Sequence, residues 1–282
     1  MAVSNRILIE QTKNGDKGAF EELIKAYQNK VYNLNLRLLG GNCHREEAED
    51  LTQETFLNAY KGIGGFRETA NFYTWLYRIA INTFNASYRG KPAYAPEPLE
   101  NWEDKIVSNN NTEEEYLFKE IQEICFSAII THIPLSERVV FVLSDVNKLS
   151  NREIAEILGI TEGATKIRLH RARKRLIDFF KNRCSLMKKD NPCKCRMWID
   201  YAREQVKCLE ENPPHKELRI INAQTINENL SDLQKIISFY QSLSSRDLKS
   251  DTIEKIQEEI NKKKIFVSFA SPFASNLNKE VK

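Results

Sequence analysis

The stretch SNREIAEILGITEGATKIRLHRARKRLIDFF, from Ser150 to Phe180, leaves little freedom in how it can fold. Ser150 and Glu153 stand at capping-box spacing and open a short helix with Ile154, Ala155 and Leu158 on one face. Gly159 occupies the position where a helix ends in a left-handed turn, and Thr161 then caps a second, longer helix. This is helix–turn–helix punctuation, a motif whose second helix commonly enters the major groove of DNA. From Thr161 to Arg183 eight cations (Lys166, Arg168, Arg171, Arg173, Lys174, Arg175, Lys181, Arg183) face two acids, Glu162 and Asp178. The whole chain carries only +3, so positive charge is concentrated on this one helix. Phosphate neutralisation by such a helix gives affinity, and groove-facing side chains give sequence preference.

Helical spacing predicts which side is which. Thr165, Leu169, Ala172 and Leu176 recur at i, i+4, i+7 and i+11 and should face the domain core. Lys166, Ile167, His170, Arg171 and Lys174 then share the groove-facing side. The bland alternative is a solvated basic helix resting on its neighbour.

Few Gly and Pro and long 3.6-period segments point to an all-α chain. Its 282 residues allow two or three small domains. The N-terminal MAVSNRILIEQTKNGD has no basic n-region followed by an apolar run, so no signal peptide is expected. No stretch reaches the roughly 20 apolar residues of a membrane helix, so no membrane insertion is expected. Six cysteines in so long a chain do not make a disulfide framework, and a cytoplasmic location is the expectation.

Toward the N-terminus, Asp16 is a candidate cap for a helix with the stripe Phe20, Leu23, Ile24, Tyr27, Val31, Leu34 and Leu38, ended by Gly40-Gly41. In REEAEDLTQETFLNAYKG, Ala48, Leu51, Thr55, Phe56 and Ala59 make an inward face. Asp50, Gln53, Glu54 and Asn58 fall together on the outer one. An acidic outer face is either simply solvated or a docking surface for a basic partner. A loop with Phe66, Arg67, Thr69 and Asn71 then leads into a helix rich in rings: Phe72, Tyr73, Trp75, Tyr77 and Phe84. Mixed with Arg78, Asn82, Asn85, Tyr88, Arg89 and Lys91, such rings can stack unpaired bases, while Asn reads base edges. Trp75, Leu76 and Ile79 fit a plain core stripe, and the loop with Asn82 could wall a pocket for an extruded base.

Three segments, AEDLTQETFLNAY, FRETANFYTWLYRIAIN and LSNREIAEILGITEGATKIRLHRARKRL, stand in the order and spacing of bacterial RNA polymerase sigma factors of the extracytoplasmic-function (ECF) type. The resemblance covers residues 5–183. It implies a sigma factor that binds core RNA polymerase and directs promoter recognition and transcription initiation, with no enzymatic activity. It implies docking of Asp50, Gln53 and Glu54 on the β′ clamp helices, with contacts to β as well. It also implies recognition of the −10 element and a flipped base by Phe66, Arg67, Thr69, Asn71 and Asn82. The −35 element falls to Lys166, Ile167, Arg168, His170, Arg171 and Lys174. An anti-sigma factor is a further implied partner. The sequence departs from the common pattern at Thr165, where an apolar β-branched residue is frequent, and at Ile167, where Ser is frequent. An outward Ile can meet a thymine methyl, so promoter preference should differ.

The expected organisation is two small helical domains, an N-terminal bundle (1–90) and a C-terminal helix–turn–helix domain (116–183). A flexible linker (91–115) joins them, and an α-helical extension (184–282) follows. The linker, rich in Pro, Asn and acids, could extend to about 65 Å at ~3.3 Å per residue. Helices over Tyr116–Thr131 and Ser136–Ser144 should complete the second domain. In the extension, Cys184, Cys193, Cys195 and Cys208 lie within twenty-five residues as C-x8-C-x-C-x12-C. A tetrahedral zinc site, a redox-switchable dithiol and ordinary free thiols are the three readings of that spacing. Cys43 and Cys125 are assigned to cores. Further on, Leu230, Leu233, Ile237, Tyr240 and Leu243 form one stripe, and Ile253, Ile256 and Ile260 another, which suggests an αα-hairpin. Two rival classes remain. One is a free-standing helix–turn–helix regulator with a metal- or redox-sensing tail, which needs neither an acidic docking helix nor an aromatic base-capture stretch. The other is a zinc hydrolase, for which no HExxH, P-loop or nucleophile constellation exists.

Overall fold

The computed structural model describes residues 2–41, 44–67, 71–89, 122, 125–127, 129–194, 231–242, 247–248 and 251–262. Among the described residues every regular element is helical, as expected. The N-terminal bundle comprises α1 (Ala2–Lys13), α2 (Lys17–Leu39), α3 (Arg45–Gly62), a 3₁₀ turn (Ile63–Gly65) and α4 (Phe72–Tyr88). The second half holds α5 (Leu135–Phe141), a π-helical turn (Val142–Val146), α6 (Asn151–Leu158) and α7 (Glu162–Arg183). The extension adds α8 (Asp232–Ser242) and α9 (Asp251–Lys262). The expected linker falls in 90–121, outside the described residues, as do 195–230 and 263–282.

Local chemistry explains the helix ends. The Asp16 carboxylate accepts from Ala19 N–H at 3.1 Å and starts α2, and Gly40 at φ 101° ends it. Phe20, Leu23, Ile24, Val31, Leu34 and Leu38 are buried as the stripe predicts. α1 carries no stripe that announces it in the sequence: among its described side chains Ile9 and Thr12 are the buried ones, and its apolar pattern is short. The helix expected over Ser136–Ser144 is not uniform. It widens at Val142 into a π turn, with Asn147 N–H returning to the Val142 carbonyl at 2.9 Å.

The two halves are in direct contact. Arg138 of α5 is buried and donates through Nη1 to the Leu38 carbonyl at 2.8 Å and through Nη2 to the Thr131 carbonyl at 2.6 Å. It thus satisfies a carbonyl at the C-terminus of α2 that has no intrahelical partner. Asn147 donates to the Tyr77 hydroxyl at 2.9 Å, tying the π turn to α4. The Gly40-Gly41 pair does more than stop a helix. A Cβ at Gly40 would lie 2.5 Å from Thr131 Cγ2, and one at Gly41 would overlap the Ser127 side chain. Both glycines also have φ near +100°. Gly41→Ala combines left-handed strain with overpacking of this seam and should cost about 2–3 kcal/mol, read as a lower melting temperature. An unchanged melting temperature would refute the seam contact.

Candidate nucleic-acid interface

The helix–turn–helix forms as its punctuation dictates. Ser150 and Glu153 make the complete capping box, with Ser150 N–H donating to Glu153 Oε2 at 2.8 Å. The Ser150 hydroxyl, donating to the same Glu153 Oε2 at 2.7 Å, and then the Ser150 N–H hold the Glu153 carboxyl below its ordinary value. Gly159 takes φ 65°, and the Thr161 hydroxyl accepts from Ala164 N–H at 3.1 Å to open α7. Ile154, Ala155 and Ile157 are buried against the rest of the half.

Both faces of α7 fall where the spacing put them. Thr165, Leu169, Ala172, Leu176 and Phe180 are buried. Lys166, Ile167, His170, Arg171 and Lys174 are exposed, and Arg168 is half-buried. Ile167 is 55% exposed, a large apolar side chain with no core role. Thr165 fits in the core because its hydroxyl bonds back to the Thr161 carbonyl at 3.2 Å, which removes the penalty of burying it. Counting charges overstates what this helix offers to phosphates. Arg173 grips the buried Asp145 with two bonds, Nε–Oδ2 at 2.9 Å and Nη2–Oδ1 at 2.6 Å. Arg175 bonds Glu137, itself buried, at 2.9 Å. These two cations hold α7 to the π turn and α5, while Lys166, Arg171 and Lys174 stand on the open face.

The acidic helix α3 buries Ala48, Leu51, Thr52, Thr55, Phe56 and Ala59. Asp50 and Glu54 are exposed and Gln53 is half-buried. Glu46 and Glu47 in its first turn complement the positive end of the helix dipole. Asn58, expected on the same outer face, turns partly inward and bonds the Thr83 hydroxyl at 3.3 Å.

The aromatic stretch is more of a core than the sequence suggests. Phe66 is 5% exposed, and its ring packs edge-on against Phe72 at 5.6 Å and Trp75 at 5.3 Å. Phe72, Tyr77 and Phe84 are also buried, so these rings are not open stacking platforms. Composition could not reveal this, since stacking and packing use the same side chains. Arg67, Asn71 and Asn82 are exposed, and Thr69 lies outside the described residues. Asn71 caps α4, accepting from Tyr73 N–H at 3.0 Å through its amide oxygen.

At the end of α7, Cys184 and Cys193 are paired by a backbone bridge, with Cys193 N–H donating to the Arg183 carbonyl at 3.0 Å. Asn191, which sequence reasoning passed over, donates to the Lys181 and Cys184 carbonyls at 2.8 and 2.9 Å and so caps the helix. Burial pushes the Cys184 thiol up to about 11. Cys195, Cys208 and Cys43 lie outside the described residues. Among the described residues no three metal-ligating side chains gather. Cys125 is half-buried against the core. No helix among the described residues is long and apolar enough to cross a membrane.

Comparison with known proteins agrees with this architecture. Residues 23–91 match the Sigma-70 region 2 family and residues 123–176 the Sigma-70 region 4 family. The chain is 37% identical over 176 residues to the ECF RNA polymerase sigma factor SigW of Bacillus subtilis, covering 60% of this chain and 92% of that protein. It is 34% identical over 179 residues to the ECF RNA polymerase sigma-E factor of Haemophilus influenzae, covering 61% and 92%. A chain of the structure of CnrH in complex with the cytosolic domain of CnrY is similar at 22% identity and a TM-score of 0.48, covering 63% of this chain and 97% of that chain. A free-standing regulator is not favoured by these matches, because both sigma regions are present in order. The chain belongs to the ECF RNA polymerase sigma factors, the initiation factors that direct polymerase to promoter DNA.

Proposed function

We propose a division of labour among three surfaces of this sigma factor. Asp50, Gln53 and Glu54 on α3 dock on the β′ clamp helices of core polymerase. Arg67, Thr69, Asn71 and Asn82 read the −10 element and receive a flipped base, with Phe66 anchoring their loop from inside. Lys166, Ile167, Arg168, His170, Arg171 and Lys174 read the −35 element. The supporting observation is the clean partition of α7, one side buried and the other open and cationic with Ile167 at its centre. The protein needs no covalent chemistry of its own for this task. It acts by neutralising phosphates and by fitting base edges.

Ile167 supplies the sharpest test. An exposed sec-butyl group on a groove-facing helix gains by contact with a thymine methyl and gains nothing from a polar base edge. Ile167→Ser should shift preference at one −35 base pair by about tenfold, within the ~1–3 kcal/mol typical of a single position. Transcription by the reconstituted holoenzyme from templates varied across the −35 element reads this directly. An identical base preference in wild type and variant would refute the assigned face.

A further inference from the structure

The extension beyond Arg183 reaches both halves of the sigma machinery. On the second half, α8 buries Ile236, Phe239 and Tyr240. Phe239 stacks on Phe126 with centroids 4.9 Å apart, and Tyr240 meets Phe141 edge-on at 5.2 Å. Gln241 donates to the Asp145 carbonyl at 2.7 Å. On the first half, α9 lies along α3 and α2 and buries Thr252, Ile256 and Ile260. Its last turn meets α2 where the Lys17 ammonium donates to Asn261 Oδ1. Between the two helices, Asn29 of α2 donates to Asp247 at 2.7 Å and accepts from Leu248 N–H at 3.0 Å. The extension is therefore a strap fastened at several points across both halves.

Two consequences follow from this placement. Elements at −10 and −35 are about 25 base pairs apart, roughly 85 Å of duplex at ~3.4 Å per pair. A compact body of about 200 residues is only ~40 Å across. Halves joined through Arg138–Leu38 and Asn147–Tyr77 must therefore separate before both elements can be read at once. In addition, α9 sets Lys255, paired with Asp251 at 2.8 Å, in the field of Glu49 and Asp50 on α3. A cation of the chain itself thus stands in the field of Asp50, one of the residues assigned to polymerase docking.

We propose that the extension is an intramolecular inhibitor, with α9 lying on the flank of α3 that core polymerase approaches and α8 holding the second half closed. This rests on the assignment of α3 as the docking helix. Polymerase engagement and release of the strap then compete, and the apparent affinity for core falls by the fraction of open molecules. Ile256→Glu in the full-length chain places a charge in the α9 seam and should raise core-polymerase affinity roughly tenfold. It should also speed amide hydrogen exchange in α9 and α3. Lys255→Glu leaves the apolar α9 seam untouched, replaces the Lys255–Asp251 pair with like charges, sets further like charges against Glu49 and Asp50, and should raise core affinity about threefold. Glu54→Lys, outside the acids facing Lys255, tests the docking assignment separately and should weaken core binding.

Wild-type core affinity in both α9 variants overturns the strap. If Ile256→Glu does not fold, wild-type affinity in Lys255→Glu alone overturns it. Unaltered core binding in Glu54→Lys together with tighter binding in the α9 variants supports the strap and overturns the docking assignment.

Discussion

Reversing two exposed acids of α3, Asp50→Lys with Glu54→Lys, lowers the affinity for core polymerase by about a hundredfold while the helical bundle stays folded. Both side chains are open to solvent and the buried stripe of α3 contains neither, so the bundle does not depend on them, and loosening the contact of Asp50 with Lys255 offsets only part of the loss. A charge reversal turns attraction to a basic partner into repulsion, and like-charge juxtaposition across an interface is costly. Tenfold per residue corresponds to about 1.4 kcal/mol. The defect should shrink as salt rises, since rim charges are screened over ~8–10 Å at physiological ionic strength. Titration of labelled sigma factor with core polymerase at two salt concentrations checks both statements. Equal affinity in wild type and variant would show that α3 is not the docking surface.

Removing two cations from the open face of α7, Lys166→Ala with Arg171→Ala, weakens promoter binding by the holoenzyme by about a hundredfold at low salt. It also reduces the salt slope by about 1.8, because each lost phosphate contact removes ~0.9 from the slope. The fold should survive, because Thr165, Leu169, Ala172 and Leu176 hold the other side of the helix. Arg173→Ala is the informative contrast. Its guanidinium is bonded to the buried Asp145, so its loss leaves a carboxylate without its partner and should lower stability by about 3 kcal/mol. A helix that offered all its cations equally to DNA would give the same salt slope and the same stability loss at Arg173 as at Lys166.

The contrast between these arginines marks the boundary of what the sequence discloses. Caps and periodicity are local, and they located Ser150, Glu153, Gly159, Thr161 and both faces of α7 correctly. Partners far apart in the chain leave no such trace. Nothing around Arg173 or Arg175 announces Asp145 or Glu137, which lie 28 and 38 residues away. Gly41 reads as a stop signal, and its role in admitting Ser127 appears only once the halves are assembled. The stripe expected on α8 through Leu233, Ile237 and Tyr240 is rotated in the structure. Ile236, Phe239 and Tyr240 are the buried set, and Leu233 and Ile237 lie at its edge. Phe126 and Phe180 determine that rotation, since Phe239 faces both rings. For the same reason the expected αα-hairpin does not describe α8 and α9. Each lays its stripe chiefly on a different half of the sigma factor. An amphipathic stripe states that a face is buried and is silent about what covers it.

Run-off transcription of genomic fragments by core polymerase, with and without this protein and with start sites mapped in both reactions, decides whether both promoter elements are read. New start sites that share a paired −35 and −10 motif should appear only when the protein is present and disappear when either element is scrambled. Identical start sites in the two reactions, or new sites that depend on one element alone, would contradict a two-point promoter reader carried by polymerase.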